Sequence, residues 1–241
     1  KEMLEIKKGF MQALKDNQCI KLAVITGCLK IAKESIFTGT NNFVSNTITS
    51  SRLNEYYGFV QNEVDRILED AEIKGKGDIM KKWYDGYHFG DVDVYCPWDV
   101  MCYVDDLQKN PNAKPDEYWK DTSDNAIIRS FIDYAGASIT KKLETLMNGG
   151  YIIQRVDENL TYDYLHSSEE NLWSLMYLTG YLTQVRDYKN DDDWQDNMVA
   201  LKIPNLEIKQ IFETEVSKWF EDSSKKWNRT ELFSSVWSED C

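Results

Sequence analysis

Lys82-Trp83-Tyr84-Asp85-Gly86-Tyr87-His88-Phe89-Gly90, followed by Val94-Tyr95-Cys96-Pro97-Trp98, is the stretch on which the reading of this 241-residue chain turns. Closing a loop does not require aromatics and glycines at such density. Tyr87 to Phe89 and Val92 to Tyr95 flank Gly90-Asp91, a spacing that predicts a tight antiparallel hairpin. Ile79, Met80 and Trp83 predict a short helix before it. Pro97 suits a first helical position, because the N–H it lacks is one a helix cannot use there. A helix is therefore expected from about Trp98 to Leu107, with a weak start, since Cys96 is a poor N-cap. The aromatics and glycines of the run fit packing between neighbouring segments, with Asp85 accepting backbone N–H groups in the turn. The alternative is that Asp85, Tyr87 or His88 reaches a nucleotide or a partner subunit. His88 has no Ser, Cys or carboxylate at a spacing that forces a triad. The second histidine, His166, is too remote in sequence to make a metal motif.

Working upstream, Leu22-Ala23-Val24-Ile25-Thr26-Gly27-Cys28-Leu29-Lys30-Ile31-Ala32-Lys33-Glu34-Ser35-Ile36-Phe37 is followed by Asn41-Asn42. Ile20 to Ile25 is a continuous apolar run with β-branched residues, which predicts a buried strand with a polar tip at Thr26-Gly27. Before it, Met3, Ile6, Phe10 and Leu14 mark an amphipathic helix over residues 2–16. These segments are joined downstream by Trp119 to Asn125 (W-x-x-T-S-x-N), Asn148-Gly149-Gly150, Asn171-Leu172-Trp173-Ser174, Leu178-Thr179-Gly180-Tyr181-Leu182 and Ile203-Pro204-Asn205-x-Glu207. Together they resemble the predicted AAA-ATPase-like family. Its members are P-loop proteins in which an ATPase core is followed by a helical and winged-helix-like region, and often by a PD-(D/E)XK nuclease-like domain.

The resemblance covers nearly the whole chain and implies a piece lying after the Walker motifs and before the nuclease-like domain. It implies ATP and Mg for a full-length parent, with no cofactor held by this chain alone. The expected partners are the N-terminal P-loop half and the C-terminal nuclease-like domain of that parent. In P-loop cores ligands gather at the carboxyl ends of parallel strands, so Thr26 and Lys30 stand where a phosphate sensor would be. Arg is more usual in the family at the position of Lys30; Lys keeps the charge and loses the bidentate fork. Asn is more usual where Cys96 stands. Asn41, Asn42, Trp83, Tyr84, Asp85, Gly86, Tyr87, Phe89, Gly90, Pro97 and Trp98 form the signature read as packing or interface. The bland reading of Thr26 is a turn cap, and of Lys30 and Lys33 solvated helix residues.

A phosphate loop, G-x-x-x-x-G-K-[ST], lets glycine-permitted backbone converge on phosphate oxygens while Lys neutralises charge and Ser or Thr holds magnesium. No glycine here satisfies it: Gly75-Lys76-Gly77-Asp78 is too short, and Gly136-Ala137-Ser138-Ile139-Thr140-Lys141 lacks the second glycine. A Walker-B-like strand is also absent, as Val104-Asp105-Asp106 continues a helical pattern. No D-x(n)-E-x-K arrangement falls on a convincing strand pair either, which argues against an intrinsic nuclease.

The chain carries 41 acidic and 28 basic residues, a formal charge of −13. Such a surface repels nucleic acid on average, and any contact would need a local basic patch. Aromatic content of 13% excludes a disordered chain. No run reaches the roughly 18 apolar residues of a membrane span, and Lys1 to Gln18 is too charged for a secretion signal, so a cytoplasmic protein without membrane contact is expected. Cys19, Cys28, Cys96, Cys102 and Cys241 show no C-x-x-C pair and read as reduced thiols rather than metal ligands.

Residues 108–118, with two prolines, are the candidate linker between a first unit, 1–110, and a second, 115–241. In the second, Thr122 or Ser123 caps a helix bearing Ile127, Ile128, Phe131 and Ile132. Another begins at Ser138, with Ile139, Leu143, Leu146 and Met147 inward and Gly149 as terminator. Tyr151 to Val156 and Leu160 to Tyr164 then read as a hairpin, the outline of a winged helix. Ser167 and Glu170 form a capping box ahead of a buried helix to Gly180. Thr183 to Tyr188 and Met198 to Ile203 read as strands joined by an acidic tip, whose Asp191, Asp192 and Asp193 lack calcium-loop spacing. Pro204-Asn205 opens a helix with Ile208, Ile211, Phe212, Val216 and Trp219 on its buried side. The expected class is α+β, mostly helical: the C-terminal remnant of a P-loop ATPase core plus a helical, winged-helix-like domain. Its expected role is the sensor, lid and winged-helix portion of an ATPase that does not hydrolyse ATP alone. The alternative is a protein- or nucleic-acid-binding module, with a protein partner favoured by the acidic charge.

Overall fold

Residues 17–27, 44–119, 137–158, 168–186, 188 and 198–226 are described in the computed structural model of the chain. Among them the protein is an α+β fold of six helices and two small antiparallel sheets. Helix α1 (Gln61–Asp70) buries Val64 and Leu68, one turn apart, and Glu63 closes its start by accepting the N–H of Val60 at 3.0 Å. Helix α2 (Gly77–Tyr84) buries Met80 and Tyr84. Strands β1 (Tyr87–Phe89) and β2 (Val92–Val94) pair antiparallel, with Tyr87 opposite Val94 and Phe89 opposite Val92. Helix α3 (Pro97–Lys109) follows at once. Cys96 sits at its N-cap in an extended conformation and contributes no side-chain cap, so the proline alone sets the start.

Helix α4 (Ala137–Met147) turns Ile139, Leu143 and Leu146 inward and stops at Gly149, whose φ is +82°. Strand β3 (Ile152–Arg155) alternates buried and exposed residues. Helix α5 (Glu169–Leu178) is buried nearly all round. Strands β4 (Thr183–Gln184) and β5 (Met198–Lys202) pair antiparallel as expected, and helix α6 (Leu206–Lys226) closes the order. The second sheet runs β3-β5-β4. Strand β3 therefore pairs with β5, Ile152 opposite Leu201, a long-range partner that the hairpin reading did not include. Leu160 to Tyr164 lie outside the described residues, as do the helix at residues 2–16, the helix after Ser123 and the acidic tip.

Two hydrophobic cores result. One gathers Val64, Leu68, Met80, Tyr84, Val100, Tyr103, Val104 and Leu107 from α1, α2 and α3, with Tyr95 from the link between β2 and α3. The other gathers α4, α5, α6 and the second sheet, and takes Tyr87 and Val94 from the hairpin. Adjacent residues thus serve different cores: Tyr95 faces the first and Val94 the second.

Three expectations need correction. Ile20 to Ile25 does not form a buried strand: residues 17–27 lack regular structure and are exposed, Leu22 by 81% and Val24 by 79%. No described strand lies beside this run, and a lone strand cannot satisfy its own backbone polar groups. Residues 108–118 are not a free linker but a strap. Tyr103 donates to the carbonyl of Ala113 at 3.2 Å, Tyr84 to that of Asp116 at 3.1 Å, and Tyr118 to Asp106 Oδ2 at 2.6 Å. The cap of α5 is Ser168, not Ser167; its Oγ accepts the N–H of Asn171 at 3.2 Å.

Candidate functional site

The aromatic run lies where the two cores meet, and its glycines explain how segments approach so closely there. Gly86 adopts φ +100°, and a Cβ on it would lie 2.3 Å from the carbonyl oxygen of Pro204. The start of α6 is thereby seated directly on the turn leading into β1. At the hairpin tip Gly90 adopts φ +56°, a Cβ on it would lie 2.7 Å from the carbonyl oxygen of Ser50, and its N–H donates to Ile48 O at 2.9 Å. Buried Asn54 holds that tip, donating to Phe89 O at 3.0 Å and to Asp91 Oδ1.

The aromatics from Trp83 to Phe89 are packed. Tyr84, wholly buried, tilts against Tyr103 and Tyr118 with ring centroids 5.7 and 5.9 Å away, contacts worth roughly 1 kcal/mol each. Its hydroxyl also accepts the N–H of Asp116 at 3.1 Å. Trp83 packs against the first core; Tyr87 is in the second, with Phe89 packed against it. Pro97 begins α3, and Trp98 next to it is 54% exposed, with Nε1 3.4 Å from Tyr118 O. Asp85 is buried, with Oδ2 3.7 Å from Lys81 Nζ. Burial raises its carboxyl pKa, opposed by the Gly86 N–H and Lys81, while its Oδ1 has no hydrogen-bond partner among the described residues. His88 bonds Asp93 at 2.9 Å, and Asp93 in turn pairs with Arg186 at 2.7 Å. The His88 backbone N–H donates to Thr183 Oγ1 at 2.8 Å, tying β1 to β4.

Thr26 lies in the exposed 17–27 stretch, whereas Lys30, Asn41 and Asn42 fall outside the described residues. The structure therefore brings together Trp83 through Trp98, but leaves Thr26 apart from them.

Beneath the run is a group that no short motif reveals. Asp99, in the first turn of α3, and Glu207, in the first turn of α6, are both 0% exposed and in hydrogen-bond contact with each other. Glu207 Oε1 accepts the backbone N–H of Trp119 at 2.8 Å, while Glu207 Oε2 and both Asp99 oxygens have no donor. Two ionised carboxylates cannot bond one another. A single shared proton converts one into a donor for the other, and the Cys96 thiol lies within hydrogen-bond contact of Asp99 as well. Burial, reinforced by the charge of Asp99, pushes Glu207 up to about 9, and burial raises Asp99 as well. The Cys96 thiol beside them is raised by burial first and by Asp99 next, which keeps it protonated and unreactive.

Chemically this centre is a buried acid pair, a clasp joining the starts of two helices and Trp119 at the end of the strap. Among the described residues, no three or more His, Cys, Asp or Glu are arranged to hold a metal ion, and no helix is long and apolar enough to cross a membrane. Glu207 stood within the motif Ile203-Pro204-Asn205-x-Glu207, and Asp99 two residues after Pro97. Their meeting was invisible because 108 positions separate them.

Comparison with known proteins gives one distant likeness to report. Over 213 residues the chain is 25% identical to a protein of Azotobacter chroococcum mcd 1 described as "Uncharacterized protein in vnfD 5'region". The match takes in 87% of this chain and 37% of that protein, so the chain spans little more than a third of its relative. No family model matches the chain, and no solved structure matches it.

Proposed function

We propose that this chain is the sensor, lid and winged-helix-like portion of an AAA-ATPase-like protein. In this reading it packs against a P-loop half that carries ATP and Mg, and precedes a nuclease-like domain. The observation that carries the reading is the open run Ile20–Ile25: strand-forming sequence, strongly exposed, with no sheet among the described residues to receive it. Apolar surface of this kind gains about 25 cal/mol for each Å² covered, so a sheet supplied from elsewhere would be a favourable partner. The clasp of Asp99 and Glu207 and the aromatic hairpin supply a rigid support for such a sheet. Neither provides the preorganised positive charge that phosphoryl transfer requires.

The reading is tested on hydrolysis. The chain alone should release no phosphate from ATP, whereas a longer product of the same reading frame, containing a G-x-x-x-x-G-K-[ST] loop upstream of Lys1, should do so with Mg present. Absence of any such loop upstream, or turnover by the chain alone, would overturn it.

A further inference from the structure

Helix α3 turns one side to the first core and an apolar side to solvent. Val100, Tyr103, Val104 and Leu107 are buried, while Trp98 and Met101, three positions apart and so on one side of the helix, are 54% and 48% exposed. Half-buried Cys102, one turn after Trp98, continues that side. Tyr118 borders it, with its backbone carbonyl 3.4 Å from Trp98 Nε1. An indole carried on a helix whose other side is locked into a core gives up little freedom on binding, and tryptophan is among the side chains that dominate protein contacts. Methionine beside it adapts to irregular partners. The aromatic signature thus ends, at Trp98, outside the packing that holds the rest of the run.

The border of this face is acidic. Asp105 follows Trp98 by two helical turns on the same side, Asp106 accepts the Tyr118 hydroxyl at 2.6 Å, and exposed Asp116 stands two residues before Tyr118. Lys109 is spent on Asp105. After burial, the charges of Asp99, Asp106 and Asp105 raise the pKa of the Cys102 thiol, and Asp106 and Asp116 act on the Tyr118 hydroxyl in the same direction. Both groups therefore sense a negative field at the face. That field disfavours three occupants. Anionic lipid and nucleic acid are repelled by it, and a second copy of a chain whose formal charge is −13 would set like charge against like. An apolar anchor flanked by Lys or Arg is its complement.

We infer that the outer side of α3, centred on Trp98 and Met101, docks a basic amphipathic segment of another protein. The apolar side of that segment covers the indole, and its cations meet Asp105 and Asp116. Such docking requires no nucleotide and no upstream domain.

The test titrates the chain with a synthetic amphipathic helix of leucine and lysine, and with its leucine–glutamate counterpart, following the Trp98 indole by NMR and heat by calorimetry. The lysine peptide should bind saturably, one per chain, and more weakly as salt rises; the glutamate peptide should not bind. Trp98→Ser/Met101→Ser should weaken binding at least about tenfold without moving the thermal midpoint. Asp105→Asn/Asp116→Asn should weaken it as well and flatten the salt dependence. Val44→Ser/Tyr56→Ser, which removes two other strongly exposed apolar side chains, should leave binding intact. Equal weakening by the two serine variants, binding of the glutamate peptide, or a dimer of the chain that Trp98→Ser abolishes would each overturn the inference. Because no ATP is present, failure here and failure of the ATPase reading are separate outcomes.

Discussion

Residues 82–99 and residues 17–27 are both rich in apolar side chains, yet the first is interlocked and the second lies open. Tyr84, Tyr87, Val94 and Tyr95 are buried on two sides of one hairpin, whereas Leu22 and Val24 meet solvent. The difference is not hydrophobicity but the supply of neighbours. The first region has β4, residues 48–54 and the chain just before α6 against its hairpin, and the 108–118 strap on Tyr84, and its glycines allow the close approaches. The open run has no sheet among the described residues. Burial is a property of the pair of surfaces, not of one sequence.

The largest expected effect comes from spoiling the close approach that distinguishes the first region. Gly86→Ala puts a methyl against Pro204 O and holds alanine at positive φ. It should cost about 3 kcal/mol or more, combining overpacking and backbone strain, measured as a drop in the urea midpoint at unchanged slope.

Glu207→Gln tests the clasp next, and its sign depends on pH. Glu207 is raised in the folded state, so below about pH 4.5 both folded and unfolded forms are protonated and the group costs nothing. As pH rises from there to about 9, the unfolded carboxyl ionises while the folded one keeps its proton, and stability falls. Glutamine keeps the acceptor for the Trp119 N–H and offers Asp99 a permanent donor. The variant should match the parent near pH 4.5 and exceed it by about 1.5–3 kcal/mol above pH 8. Equal pH profiles in thermal melts would show that no proton holds the pair.

Tyr84→Phe should cost about 1–1.5 kcal/mol, because it leaves both the N–H and the C=O of Asp116 without their partner. Destabilisation with faster proteolysis within residues 108–118 would mark the strap as the affected segment. The smallest effect is expected in the open region. Leu22→Ser/Val24→Ser should change the chain's own stability by less than about 0.5 kcal/mol, as surface substitutions do. It should also weaken association with a P-loop half added in trans. A large loss of stability in the chain alone would show that the run already packs on it.

Much of the hairpin and of α3 was legible because their determinants are local: glycine at the tip, alternating apolar residues, proline at the first helical position. The stop of α4 at Gly149 and the pairing of β4 with β5 follow from the same short-range signals. The β3–β5 pairing was not legible, since Ile152 and Leu201 carry no mark of one another. The start of α5 slipped from Ser167 to Ser168 because two adjacent serines can both cap, and only the path of the chain chooses.

The site divides in the same way. Gly86 and Tyr84 could be singled out from sequence, since a dense aromatic and glycine run has few local uses. Asp99 and Glu207 could not, because a carboxylate in a first helical turn ordinarily faces water and complements the dipole. By itself the amino-acid order determined the helices, the hairpin turn and the lack of a phosphate loop, all consequences of backbone preference and residue type within a few positions. Only the tertiary structure decided which carboxyls are buried against one another and which apolar run stays open. Those depend on desolvation and proximity between segments far apart along the chain, and neither quantity exists until the segments meet.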